Sequence, residues 1–406
     1  MKSSINHVAV QASSYSQTSS PKKSRQFWRS IHRYIGLFAG VLFVLVGLSG
    51  SVLAFWQSID EWLNAPLMVI QQPSPQNTDY RSLDELFKVA NNIIPQGGVP
   101  EIIRLPRHSG TAVTISYSKT NTDKKMDFYD VFINPYTATV NGQRLRYSGN
   151  SELLQPFTYL MRSFHYTLFL GRDNSHVVGI PSLFLLLSML IGFVLWWPRS
   201  HQWRNALTIK RKASVERLTY DLHKTVGVYF GGLLIVIMLT GIALIFSTQT
   251  QAIVTLFSPI KMPSHKMKFQ SVLIVGGKPL GVDAVVNIVN QLYPNGTLQS
   301  IILPKTATDV YRVGKLADNE VNQTFTKRVV TIDQYSGKIL EVRDPGQFSG
   351  GETFISWLYP LHSGEAFGFV GRLIWCLAGI APLVLYVTGI MRWLQKRRAK
   401  KRIANE

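Results

Sequence analysis

The chain has a single cysteine, Cys376, among its 406 residues, which excludes an intrachain disulfide and a cysteine-ligated metal cluster. No Gly-x-Gly-x-x-Gly segment follows a predicted strand, which argues against a dinucleotide-binding domain. The chain also lacks His-Glu-x-x-His, the zinc-binding helix of many metalloproteases. Acidic residues are few, since 23 Asp and Glu face 43 Lys and Arg for a net charge of +20. Apolar residues are abundant, and they gather into long runs.

Four apolar runs have the length of transmembrane helices. Each has the roughly 20 residues that are needed to cross a hydrocarbon core of about 30 Å. None contains a charged side chain, which argues against a proton- or ion-coupled transporter. The chain is therefore predicted to be a polytopic membrane protein. The four runs are Tyr34–Phe55, Val177–Trp197, Val226–Ser247 and Leu373–Met391.

The basic residues predict the orientation of these spans. They concentrate before the first span, between the second and third spans, and after the fourth. Positive charge favours the cytoplasmic side, which places both termini and the short link in the cytoplasm and the two long regions outside it. Because topology explains most of the positive charge, these residues are expected to contact membrane lipid, and no nucleic-acid partner is predicted.

Four histidines just outside the spans form two pairs along the chain. His223 follows His32 by 191 positions, and His362 follows His165 by 197 positions. Histidine is costly in hydrocarbon and is a common ligand of transition metals. Four of them at two membrane faces favour the axial ligands of two haems. These would be non-covalent, b-type haems, because the chain lacks Cys-x-x-Cys-His.

The two long regions between the spans also repeat. Leu83–Ala90 resembles Val282–Val289 as an amphipathic helix, and Val131–Thr137 resembles Val330–Ser336 as a strand with its turn. The predicted fold is therefore membrane α-helical, with four transmembrane helices as an internal two-fold repeat and two extracytoplasmic α+β modules. Because each half has two spans, both halves enter the membrane from the same side. Corresponding residues of the two halves, including the paired histidines, are therefore expected at equal depth in the membrane.

The ligand assignment has two alternatives. Glycines spaced by four residues follow both inner histidines and would clear a flat face for a porphyrin, but small residues at this spacing also let helices pack closely. His176 lies nearer to the second span than His165 does and competes with it as the outer ligand. The position that corresponds to His176 in the second half is occupied by Leu373. The glycines are Gly36 and Gly40 after His32, and Gly227 and Gly231 after His223.

Basic residues beside the histidines are candidate partners of haem propionates. Arg33 and Lys224 follow the inner histidines directly and would act at the cytoplasmic face. Arg172 and Arg372 would act at the outer face. Contacts between these side chains and lipid headgroups are the alternative.

Seven segments carry a resemblance to a known family, and they extend over nearly the full chain after residue 25. They are Trp28–Gly36, Leu48–Gly50, Gly192–Pro198, Asp221–Gly227, Leu239–Gly241, Leu361–Gly364 and Thr388–Trp393. With these segments the chain resembles the PepSY-associated transmembrane proteins, an iron-regulated inner-membrane family that includes haem-containing ferric-siderophore reductases. One departure is Phe164 before His165, where the family usually has leucine.

The resemblance implies an oxidoreductase of the inner membrane, a ferric-siderophore (ferric-chelate) reductase with two b-type haems. Electrons would come from a quinol or a cytoplasmic reductase and leave to a ferric siderophore at the PepSY-like modules. No catalytic residue beyond the haems is expected, because electron transfer needs no acid–base pair. Two alternatives are a non-enzymatic PepSY protein that binds or regulates a protein partner, and a haem electron carrier for a separate reductase.

The expected domain boundaries follow from these segments. In chain order they are a disordered cytoplasmic tail (1–25), transmembrane helix 1 (26–58), the first PepSY-like periplasmic module (59–150), a lead-in helix with transmembrane helix 2 (151–198), a basic cytoplasmic link (199–222), transmembrane helix 3 (223–248), the second PepSY-like periplasmic module (249–350), a lead-in helix with transmembrane helix 4 (351–394) and a basic cytoplasmic tail (395–406).

Overall fold

Long helices and one antiparallel sheet make up the chain. The structure, a computed structural model, describes residues 21–70, 79–198, 202–210, 212–261, 269–274, 276–318 and 320–405. Most of the predicted N-terminal tail and the start of the basic link lie outside the described residues. The α-helices in the described residues are α1 Pro21–Phe38, α2 Gly40–Leu53, α3 Trp56–Leu63, α4 Ala65–Met68, α5 Leu83–Ile93, α6 Phe157–Thr167, α7 His176–Trp196, α8 Trp203–Leu207, α9 Val215–Ile245, α10 Ser247–Thr255, α11 Val282–Leu292, α12 Gly350–Ser363 and α13 Gly368–Asn405. The strands there are β1 Val99–Arg104, β2 Val113–Thr120, β3 Met126–Ile133, β4 Val140–Tyr147, β5 Thr297–Ile302, β6 Val310–Leu316, β7 Val329–Asp333 and β8 Ile339–Arg343.

Three of the helices, α7, α9 and α13, are long and apolar enough to cross a membrane. The first predicted span differs from them, because α1 and α2 meet at a bend of 56° and reach that length only together. Gly36 and Gly40 flank the break at Ala39, and glycine weakens a helix at such a point. The predicted span Tyr34–Phe55 is thus a bent pair of helices.

The apolar helices pack closely around each other. α13 contacts α2 and α9, while α7 contacts α1 and α9. At the crossing of α2 and α13, a Cβ atom on Gly47 would lie 2.6 Å from the carbonyl oxygen of Gly379. The Ser51 hydroxyl donates to the carbonyl of Cys376 across the same contact, at 2.7 Å. Small residues therefore allow the two backbones to touch.

The eight strands form one sheet, in the order β4-β3-β2-β1-β5-β6-β7-β8. Its centre is the antiparallel pair β1–β5, in which Ile102 lies opposite Ile302 and Ile103 opposite Ile301. One apolar core from both regions lies beneath α5 and α11 and includes Leu86, Ile103, Ile115, Val285, Ile301 and Val313. The sequence predicted two α+β modules; the structure joins their strands into a single sheet.

Two aspartates join the helices of the two regions. The carboxylate of Asp84 accepts from the backbone N–H of Val282 at 2.6 Å. The carboxylate of Asp283 accepts from the N–H groups of Leu83 and Asp84, at 2.9 and 3.0 Å. Each carboxylate thus caps the N-terminus of the opposite helix, where unpaired N–H groups and the helix dipole favour negative charge.

This reciprocal capping predicts a loss of stability when one carboxylate is removed. Asp84→Ala is expected to lower the free energy of unfolding by about 1 kcal/mol, the usual effect of losing a helix cap. Thermal unfolding of the detergent-purified protein, followed by circular dichroism, measures the change. Glu85→Ala removes the same charge from the exposed face of α5 and serves as the control. Equal shifts in both variants would show that net charge matters and the cap does not.

Candidate functional site

The four predicted histidines come together as two pairs. The ring centres of His32 and His223 are 6.3 Å apart, and those of His165 and His362 are 6.2 Å apart. We call the end of the long helices that leads into the sheet the sheet end, and the opposite end the terminal end. The first pair lies at the terminal end, on α1 and α9. The second pair lies at the sheet end, on α6 and α12.

Neighbouring helices hold both rings of the sheet-end pair. The Nδ1 atom of His362 lies 2.9 Å from the carbonyl oxygen of Ile237 and 3.2 Å from the hydroxyl oxygen of Thr240, both on α9. The Nδ1 atom of His165 lies 3.1 Å from the hydroxyl of Ser49 on α2. His165 also bonds to the backbone of Val46. Each ring therefore meets one carbonyl and one hydroxyl, three residues apart on one helix.

The terminal-end pair is held in a similar way. The Nδ1 atom of His223 lies 3.0 Å from the carbonyl oxygen of Leu385 and 2.9 Å from the hydroxyl of Thr388, both on α13. The Nδ1 atom of His32 lies 2.9 Å from the carbonyl oxygen of Ser188 and 3.0 Å from the hydroxyl of the same residue, on α7. All four rings are thus bonded to a different helix from their own.

These bonds determine which ring nitrogen carries the hydrogen. The hydroxyls of Ser49, Thr240 and Thr388 each donate their only hydrogen to a carbonyl four residues earlier on their own helix. The hydroxyl oxygens can then only accept, as the carbonyl oxygens do. Nδ1 must therefore donate in each neutral ring, which leaves Nε2 unprotonated and able to bind a metal. Metal-binding histidines in proteins are usually held by such a bond from the other nitrogen.

A glycine lies against each ring. A Cβ atom added to Gly241 would be 2.8 Å from Cε1 of His362, and one on Gly50 would be 2.9 Å from Cε1 of His165. The same distance is 3.1 Å for Gly192 and His32. Gly389 is looser, at 3.7 Å from His223. Any side chain at Gly241 or Gly50 would push the imidazole out of its present place.

Three of the four helices present these groups in one local pattern: a carbonyl, a hydroxyl three residues later, and a glycine next to the hydroxyl. The fourth differs, because Ile191 stands where the hydroxyl would be and Ser188 supplies both acceptors. We call this pattern the histidine socket. Sequence reasoning missed its role, although the signal was present in the repeated Ser-Gly and Thr-Gly pairs. The sockets are Val46–Gly50, Ser188–Gly192, Ile237–Gly241 and Leu385–Gly389.

Two of the four glycines first expected to leave room beside the inner histidines meet other side chains instead. A Cβ atom on Gly40 would lie 2.6 Å from the Tyr386 ring, and one on Gly231 would lie 2.6 Å from the Phe193 ring. These two positions therefore serve close helix packing, the alternative that the sequence left open. A Cβ atom added to Gly36 would meet no other atom within 4 Å.

A cavity of about 520 Å³ surrounds the sheet-end pair and lies between the long helices. His165 and His362 both line it, with Gly50 and Gly241. Two aromatic pairs also line it: Trp56 with Tyr159, at 6.4 Å between ring centres, and Phe325 with Tyr359, at 4.8 Å. The pocket is thus largely apolar, with imidazoles on two sides.

A buried ion pair fastens α6, which carries His165, to the sheet. Arg144 on the edge strand β4 donates two hydrogen bonds to Asp60 at 2.9 and 2.7 Å, and the Thr158 hydroxyl at the start of α6 donates to the same carboxylate at 3.2 Å. Removal of either partner would leave the other charge buried and uncompensated, which is strongly destabilising. The ion pair therefore favours this one placement of α6 against the sheet.

The opposite edge of the sheet holds α12, which carries His362. There Arg343 on β8 donates to Glu352 near the start of α12, at 3.3 Å. Both helices that carry a sheet-end histidine are thus positioned by the outermost strands.

The remaining predicted site residues are not members of the two histidine pairs. His176 is exposed at the start of α7, and the structure pairs His165 with His362 instead. Arg33 is exposed and lies over the Tyr34 ring. The side chain of Arg172 lies outside the described residues.

Two of the predicted propionate partners already have acidic neighbours. Lys224 is buried and donates to Asp221 at 3.0 Å and to two backbone carbonyls. Arg372 lies 3.7 Å from Glu365. Neither contacts the paired histidines through these bonds.

The family comparison agrees with the motifs. A model of the PepSY-associated TM region matches residues 29–396, nearly the whole chain. No curated protein matches the chain. The predicted family is therefore confirmed, and with the long apolar helices it identifies a membrane protein. This chain belongs to the family of proteins with a PepSY-associated transmembrane region.

Proposed function

We propose that each histidine pair binds one b-type haem. Two imidazoles that bind one metal ion from opposite sides, with bonds of about 2.0 Å, have ring centres roughly 6 Å apart; the observed distances are 6.3 and 6.2 Å. Among the described residues, no group of three or more His, Cys, Asp or Glu side chains is close enough to hold a metal ion. Haem iron needs only two axial ligands, since the porphyrin supplies the other four nitrogens. The paired rings, each held at Nδ1 by a neighbouring helix, are the observation that carries this proposal.

The positions of the pairs suit transfer of electrons across a membrane. Haem supplies one-electron redox chemistry. His223 and Thr240, which holds His362, are both on α9, and the 17 positions between them correspond to a rise of about 25 Å. A hydrocarbon core is about 30 Å thick. The two pairs would therefore lie near the two faces of the bilayer.

We infer that the chain is an internal duplication with both termini in the cytoplasm of an inner membrane. The symmetrical strand order around β1 and β5, together with the recurring sockets, supports the duplication. Basic residues dominate the terminal end and support its cytoplasmic placement. The sheet would then lie in the periplasm, beside the pair His165 and His362.

The proposed activity is reduction of a ferric siderophore at the sheet end, with electrons supplied at the terminal end by a quinol or a cytoplasmic reductase. One electron converts ferric to ferrous iron, which hard oxygen ligands hold less tightly because its charge is lower. Iron leaves and the chelator stays intact. The protein's part is to hold the axial ligands rigidly and to exclude water with the apolar cavity, so no acid–base side chain is needed.

Haem content and reoxidation test this proposal together. Protein purified in detergent from haem-replete cells is expected to contain close to two haems per chain by the pyridine haemochrome assay. After chemical reduction, a ferric siderophore should reoxidise the haem bands while a ferrous-specific chelator traps iron at the same rate. A colourless protein would contradict the haem assignment and favour a non-enzymatic partner-binding role. Reoxidation by a soluble protein partner only would make the chain an electron carrier.

A further inference from the structure

One cation lines the cavity around the sheet-end histidines. Among the described lining residues, Arg162 is the only one with a charged Lys, Arg, Asp or Glu side chain. Its side chain is also exposed to solvent, so Arg162 lies where the cavity meets the outside of the protein. Two other sheet-end arginines have carboxylate partners: Arg144 with Asp60, and Arg372 with Glu365.

Arg162 has no carboxylate partner in the described part of the chain. Tyr359 on α12 is a titratable neighbour of Arg162, and burial raises the pKa of that phenol above its usual 10.0. Tyr359 therefore stays neutral at physiological pH and does not compensate the guanidinium. A guanidinium beside an apolar cavity favours an anion, above all a planar carboxylate that accepts two of its hydrogens.

The position of Arg162 on α6 indicates which anion. Arg162 and His165 are three residues apart, so they lie on neighbouring positions of one helix face. Tyr359 stands three residues before His362 on α12, so the second half has a neutral residue at this place. One helix thus presents a metal ligand and a cation to the same cavity.

We propose that Arg162 binds a carboxylate at the edge of the macrocycle held by His165 and His362. The inference rests on the proposed haem function. It differs from the sequence-based expectation for Arg372, which is paired with Glu365. Because α12 offers only a tyrosine, Arg162 also breaks the symmetry of the cavity and selects one orientation of the macrocycle.

Haem dimethyl ester, which has no free carboxylate, tests the proposal. Full-length His32→Ala protein, in which only the sheet-end site should bind, is prepared from haem-deficient cells and titrated with haem or with the ester. Haem is expected to bind about tenfold more tightly than the ester, as for loss of one hydrogen bond to a charged group. Arg162→Gln should abolish this preference, and Arg162→Lys should restore part of it.

Two controls separate the possible failures. Arg107→Gln removes a charge outside the cavity, where Arg107 binds Glu61, and should keep the preference. In a His165→Ala background only the terminal-end site remains, and Arg162→Gln should have no effect there. Equal binding of haem and ester by the starting protein would overturn the role of Arg162. A preference for haem over the ester that survives Arg162→Gln would overturn this role as well. That would hold even if the substitution changed reoxidation of the reduced protein by an anionic ferric chelate. Binding of neither compound would instead overturn the haem function itself.

Discussion

His362→Ala is expected to remove one of two haems and to leave the other in place. His362 provides half of the sheet-end pair, and the remaining imidazole of His165 would be a single axial ligand in an open cavity. The terminal-end pair is held by other helices and should be unaffected. Haem content should therefore fall from about two to about one per chain. Reoxidation by a ferric siderophore should be lost with it.

The reciprocal variant and a matched control make this result specific. His223→Ala should also halve the haem content, but it should remove the terminal-end haem and block entry of electrons. His176→Ala changes an exposed histidine at the start of α7 and should keep both haems. If His362→Ala and His223→Ala both retain full haem content, the ligand assignment is wrong. If His165→Ala has no effect while His176→Ala removes a haem, only the outer ligand changes.

Gly241→Ala is expected to weaken the sheet-end site without removing any ligand. The new Cβ atom would lie 2.8 Å from Cε1 and 3.3 Å from Nδ1 of His362, which is closer than side chains approach. The ring must move, and its bonds to Thr240 and Ile237 must lengthen. Loss of such supporting bonds typically costs about 10- to 100-fold in metal affinity. Haem retention after dilution measures the effect.

Gly389→Ala is the matched control. Gly389 also follows a threonine that holds an imidazole, but its added Cβ atom would be 3.7 Å from Cε1 of His223, an ordinary contact. Both substitutions make the helix more favourable to a similar extent. Gly389→Ala should therefore keep its haem. Equal loss from both variants would show that the close approach at Gly241 does not position the ring.

The pairing of the histidines could be predicted from the sequence because it depends on depth alone. His32 and His223 recur at the start of equivalent spans, so they must lie at one level. The socket could not be predicted in the same way. Its members, such as Ile237, Thr240 and Gly241, lie on a different helix from the ring they hold. In a transmembrane sequence the same residues also suit helix packing.

The single sheet could not be predicted from the sequence either. Each region alone has the pattern of a helix on an antiparallel sheet, and nothing in it specifies a partner for β1. Its pairing with β5 depends on contacts between residues about 200 positions apart. Lys224 illustrates the same limit, since its place beside His223 did not reveal the hydrogen bond that it donates to Asp221.

The central position of β1 has a consequence for biogenesis. Its partner β5 is synthesised about 200 residues later, which takes roughly 10–40 s at translation rates of 5–20 residues per second. During that time β1 is an edge strand with unpaired backbone groups and two isoleucines. Such edges promote pairing with other chains unless proline or charge interrupts them. Pro100 and Glu101, at the irregular start of the strand, would protect the nascent chain through the interval.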